Sequence, residues 1–291
     1  MLSLWEPIEV AAGRRAQGNP LIGNLIKRIG KGDMSCKQAV GVARDAKKSG
    51  AQGARLDEFL SCGSDLKHEQ NLERDIYTQC VNRLGLPDII CVVDTIIRKT
   101  NGAGVVEVKW PVLLPHEVFG LLYDKRRAQF HSVLNTSQNV SYWTESFKNE
   151  PPWLRLHPMR EHILGHMNEV TPLRVFGDET GISKNCERPV ACLSWDSDIS
   201  TGDVWLSQFP VYIIPQHLLL PAGASTDPLD AKCVWSLNCL SKGVWPSEDH
   251  NGVPFPRKSW RGKRAGKPLT GDNRCCALAA TAADWAWNDK T

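Results

Sequence analysis

Apolar positions change their period along this chain, and the changes mark out elements. Leu56, Phe59 and Leu60, then Leu66, Leu72, Ile76 and Cys80, recur near helical spacing, which predicts a mostly helical stretch over residues 56–100. The β-branched run from Leu86 to Ile97 fits a strand or a buried helix equally well. Val106, Val108, Trp110 and Val112 alternate as a strand does, and Pro111 to Pro115 close it before a helix over His116 to Asp124. Helical pieces follow around Trp143–Phe147 and over Glu161–Asn168, the second stopped by Thr171-Pro172.

From Leu173 the texture turns strand-like, so the main boundary is expected at 170/171. Leu173, Val175 and Phe176 run into Gly177-Asp178-Glu179. Pro189 to Trp195 and Val204 to Ile214 are further strands, separated by the turn Ser200-Thr201-Gly202-Asp203. Connections this short favour an antiparallel meander. Asp230 to Leu240 reads as a helix with Leu237 on its apolar face, Trp245 to Asp272 as a long loop, and Arg274 to Trp285 as a closing apolar strand. The expected fold class is α+β: a mainly helical N-terminal part, then three antiparallel strands, a helix and a fourth strand.

Composition narrows the classes. At 291 residues, 42% hydrophobic and 23% charged, the chain has the makings of a core, which excludes wholesale disorder. No apolar stretch reaches the ~20 residues of a membrane span, so no membrane partner is expected. The opening MLSLWEPIEVAAGRR carries acids where a secretory signal is basic. Ten cysteines form no C-x-x-C pair, and several lie in apolar segments, which fits a reduced, intracellular protein. Net charge is only +3, too little to bind nucleic acid by bulk attraction. Its distribution says more. Residues 1–55 hold ten Lys/Arg against four acids and few large apolar residues, which predicts a flexible basic arm; within it, Ser35 to Lys48 is a basic helix with Ser35 as N-cap and Val40 and Ala43 on one face. The expected divisions are therefore 1–55, 56–170 and 171–291.

Three groups of residues suggest chemistry. Asp178 ends the first strand of the meander and Asp284 the fourth. In an RNase H-like arrangement those strands lie parallel and adjacent, and acids on both hold Mg2+ ions roughly 3.5–4 Å apart for in-line attack on phosphate. The third acid of such sites comes from a later helix, and the chain ends before one, so catalysis is not expected. Arg257, Lys258, Arg261, Lys263, Arg264 and Lys267 place six basic residues in eleven around Trp260, the mixture that grips phosphates and stacks on bases and that also reads as a nuclear import signal. His162 and His166 have the spacing of a zinc helix, but Ile163 stands where the general-base Glu of that motif belongs, which favours a polar helix face. The tryptophans, 11 against 4 Tyr, sit mostly beside Pro or acids and are expected to be structural.

An ordered series of motifs carries a resemblance. Leu113-Leu-Pro-His-Glu117, Trp153-Leu-Arg-Leu-His-Pro158, Pro172-Leu-Arg-Val-Phe-Gly-Asp-Glu179, Trp235-Ser-Leu-Asn238, Gly243-Val-Trp-Pro246, Glu248-Asp-His250 and Gly266-Lys-Pro-Leu269 together resemble a multi-copy family of uncharacterised dinoflagellate proteins, over roughly residues 105–287. Such a family looks like the residue of transposons with an acid-triad transposase core. The resemblance implies a nuclear, transposon-derived protein that associates with DNA or RNA through its basic segments and has a degenerate or truncated RNase H-like core. Asp178 matches the first-strand acid; Asp284 matches the fourth-strand acid with Ala283 before it where Gly is usual. The alternative expectation is a non-enzymatic protein–protein interaction domain using its Trp- and Pro-rich surfaces.

Overall fold

The computed structural model describes residues 20–30, 34–62, 76, 89–99, 104–180, 189–201 and 207–283. The expectations at Leu66, Leu72, Cys80, Gly202-Asp203 and Asp284 fall outside those residues. The described chain is mixed α+β, with nine helices and two sheets. It divides into two compact units, Met1–Asp88 and Ile89–Thr291. That division falls inside the stretch read as residues 56–170, and no division separates 171–291 from what precedes it.

In the first unit the described part of the basic segment is helical. Helices α1 (Pro20–Gly30), α2 (Cys36–Lys48) and α3 (Ala54–Ser61) share a small core of Ile22, Leu25, Ile26, Ala39, Val40, Ala43, Leu56 and Phe59, among others. Few large apolar residues are needed, because the fully buried Ala39 and Ala43 let helix backbones approach closely. Ser35 is the expected N-cap: its Oγ accepts from the Gln38 amide at 3.2 Å, and Gln38 Oε1 accepts from the Ser35 amide at 2.9 Å, a reciprocal capping box.

The second unit opens with a hairpin, β1 (Ile90–Arg98) against β2 (Val105–Leu113), in antiparallel register from Ile90↔Leu113 to Arg98↔Val105. The ambiguous β-branched run is therefore a strand over its described residues. Val93, Thr95 and Ile97 point inward, while Ile90 and Val92 on the other face are exposed. Five helices follow: α4 (Pro115–Lys125), α5 (Arg127–Val133), α6 (Asn139–Asn149), α7 (Pro152–Arg155) and α8 (Arg160–Gly165). Helix α8 stops well before Pro172, which lies inside the next strand.

The main sheet contains β3 (Val170–Thr180), β4 (Val190–Ser197), β5 (Phe209–Pro215) and β6 (Cys275–Ala283) in the order β5-β4-β3-β6. β3, β4 and β5 form an antiparallel meander, and β6 lies parallel to β3. Parallel neighbours require a long crossover, here α9 (Asp227–Lys242) and the chain after it. The β3–β6 register slips between Leu173 and Arg174, one residue past Pro172, which has no amide hydrogen to give the ladder.

Successive residues of β6 face opposite ways and separate two cores. Cys275 and Ala277 pack with Trp143, Leu154, Ile163 and Val170 from the α6–α8 side, whereas Cys276 joins the larger cluster with the hairpin, α4 and α9. Buried positions on α9 are Leu229, Lys232, Cys233, Ser236, Cys239 and Leu240, so the inward stripe is rotated from the expected Leu237 face, and Val234 is exposed. Two polar residues on that stripe hid it from an apolar-periodicity reading.

Candidate functional site

Asp178 is exposed at the C-terminal end of β3, opposite Cys192 of β4. On the other side of β3 the described parallel ladder closes at the pair Gly177↔Ala283, the residues immediately preceding Asp178 and Asp284 in sequence. An exposed carboxylate at a strand end is a suitable hard ligand for Mg2+. Among the described residues no three His, Cys, Asp or Glu side chains gather as a metal-holding group.

The acids that do meet on the sheet lie elsewhere. Arg174 of β3 donates through Nε to Asp196 Oδ1 at 3.2 Å and through its terminal nitrogen to Oδ2 at 3.0 Å, and its Nε lies 3.7 Å from Asp198. The Tyr142 hydroxyl donates to Asp198 at 2.8 Å. Burial raises the Asp196 carboxyl, and the guanidinium opposes the shift. With a guanidinium between them, this pair of acids is built for packing rather than for binding cations.

The basic loop is folded down onto the second unit, and the fold divides its residues. Arg261 forms a two-pronged ion pair with Glu117 of α4, whose carboxylate is 1% exposed; its terminal nitrogen donates to Oε2 at 2.9 Å. Arg264 lies 3.5 Å from Asp124, near the other end of the same helix, with its guanidinium over Trp245 (5.4 Å) and Trp260 (5.2 Å). Those two rings meet edge to face with centroids 5.5 Å apart. Arg257, Lys258, Lys263 and Lys267 are exposed and take part in no ion pair among the described residues.

Beneath the loop, motifs far apart in sequence converge. His116 is buried, with Nδ1 2.7 Å from Ser236 Oγ and its ring edge to face with Trp235 and Trp245 at 5.2 and 5.9 Å. Burial first, then the nearby Arg261 and Lys232, push its pKa down to about 3, so the ring is neutral. Lys232 Nζ lies 2.7 Å from His250 Nδ1, which as a neutral acceptor takes the ammonium hydrogen. Gly120 fits the scheme by its lack of a side chain: a Cβ there would sit 2.5 Å from the Trp245 ring. The LLPHE, WSLN, GVWP and EDH segments are thus neighbours in space. Sequence reading missed the Glu117–Arg261 pair because its members are 144 residues apart; the only signal was a lone Glu in an otherwise apolar helix opening.

His162 and His166 stack face to face, centroids 4.6 Å apart, and His162 Nε2 lies 3.5 Å from Cys275 Sγ, a polar and aromatic use of the spacing. Cys91, Cys192, Cys233, Cys239, Cys275 and Cys276 take part in no disulfide. Burial pushes the thiols of Cys192 and Cys239 up to about 11 and those of Cys233 and Cys275 up to about 12, which argues against a thiolate nucleophile. No described helix is long and apolar enough to cross a membrane. The chain matches no protein-family model, no curated protein and no solved structure.

Proposed function

We propose that this chain is a nuclear, transposon-derived protein that associates with DNA or RNA, built on an RNase H-like, transposase-type core whose chemistry is degenerate. The observation that carries the reading is the sheet of the second unit. Three antiparallel strands and a helix lead to a fourth strand parallel beside the first, and the described ladder closes on the residues just before Asp178 and Asp284. On this reading the two carboxylates share Mg2+, and the basic loop meets phosphates. The named set holds two acids where such sites use three, so the function assigned is binding and not strand cleavage.

The test is thermal. Mg2+ or Mn2+ raises the melting temperature of wild type and leaves Asp178→Asn unmoved, because a ligand that binds only the folded state stabilises it. Equal responses from the two proteins remove the acid pair from the reading.

A second reading, a non-enzymatic protein–protein interaction domain, is favoured by one observation: the outer face of β1 exposes Ile90 and Val92, apolar side chains of the kind partners cover. Salt-insensitive or absent binding to nucleic acid favours this alternative.

A further inference from the structure

The basic loop is a compact knob and not a loose tail. Consecutive turns close it: the Ser259 amide donates to Pro256 O at 2.8 Å, Lys263 to Ser259 O at 3.0 Å, Ala265 to Arg261 O at 3.0 Å and Lys267 to Arg264 O at 2.9 Å. Its return is locked against Trp245, whose amide donates to Lys267 O at 2.8 Å and whose carbonyl accepts from Gly266 at 2.9 Å. Gly262 is pressed against the start of the knob, where a Cβ would sit 2.1 Å from Pro256 O. Six basic residues enter this structure, and two of them, Arg261 and Arg264, are spent inward on Glu117 and Asp124. Subtracting those two from six leaves four cations facing solvent at positions fixed by the fold.

We infer that Arg257, Lys258, Lys263 and Lys267 form a pre-ordered contact surface for the phosphodiester backbone of nucleic acid, and that Glu117, Arg261, Arg264 and Trp260 are positioning residues that hold it. The inference rests on the nucleic-acid reading above and narrows it to four contacts. Such contacts recognise charge spacing and carry no base sequence, so binding is expected to be independent of sequence. Ordering the loop before association avoids the entropy of fixing it on contact.

The experiment measures fluorescence anisotropy of a random-sequence DNA duplex against salt, with melting temperature followed in parallel. In the variant Arg257→Ser/Lys258→Ser/Lys263→Ser/Lys267→Ser, the slope of log K against log salt falls by about 3.6, four contacts at about 0.9 each, while the melting temperature is retained. Arg261→Lys keeps the charge but loses the two-pronged grip on Glu117, and weakens duplex binding about three- to tenfold through loss of pre-ordering. An unchanged slope in the fourfold variant, with wild type still binding, overturns the inference and leaves the nucleic-acid reading standing. Affinity in Arg261→Lys equal to wild type overturns the positioning role. If wild type itself fails to bind the duplex at low salt, the nucleic-acid reading falls and the inference falls with it.

Discussion

Glu117→Gln isolates the interaction that anchors the basic loop. The carboxylate is 1% exposed and the Arg261 side chain 24% exposed, so the pair is largely desolvated on the acid's side and partly hydrated on the base's. Removing one partner of a buried ion pair costs about 3–5 kcal/mol, mostly because the other charge is left without compensation. Arg261 keeps some access to water, which moves the expectation to the lower end, about 3 kcal/mol. In a compact unit of roughly 200 residues that is a fall of about 6–12 °C in melting temperature. Urea denaturation of wild type, Glu117→Gln, Arg261→Met and the double variant supplies a thermodynamic cycle. The double variant should recover part of the loss, with a coupling energy above about 1.5 kcal/mol. A coupling below about 0.5 kcal/mol refutes the view that this pair holds the loop, and shows that the Trp245, Trp260 and Arg264 stack suffices without it.

Two further outcomes test the second unit's packing. His116 titrates near 6.5 when unfolded and at about 3 in place, so the unfolded state binds the extra proton and stability is lost as pH falls below about 6.5. Between pH 7 and pH 5 its contribution is a loss of about 2 kcal/mol (1.5 pH units at about 1.4 kcal/mol each), and urea midpoints of His116→Gln should show a correspondingly flatter pH dependence; equal slopes refute the assignment. Trp143 is fully buried and its Nε1 donates to the Val170 carbonyl at 2.8 Å, so Trp143→Ala should cost about 3–5 kcal/mol by calorimetry, and a loss under about 1 kcal/mol contradicts the packing of β3 on α6.

What the sequence by itself determined is local. Ser35 followed three residues later by Gln38 announces a capped helix, because the cap hydrogen bonds span only three residues. The alternation through Val106 to Val112 and the apolar runs of β4 and β5 identify strands, since a pleated strand turns alternate side chains to one side. Even the order of three strands, a helix and a fourth strand was legible, as each element fits a period.

Tertiary structure decided whatever depends on residues far apart in the chain. Ala39 and Ala43 read as too small to build a core, yet helix against helix they are buried completely. The six basic residues of the loop look equivalent in one dimension. Contact with Glu117 and Asp124, on a helix more than a hundred residues earlier, turns Arg261 and Arg264 inward and leaves the other four facing water. The parallel pairing of β3 with β6 is likewise set by how α9 packs on the sheet. Sequence periodicity records which face of an element is apolar; which partner that face or charge meets is chosen only when distant segments are brought within a few ångströms, where burial strengthens charge pairing and close packing selects side-chain size.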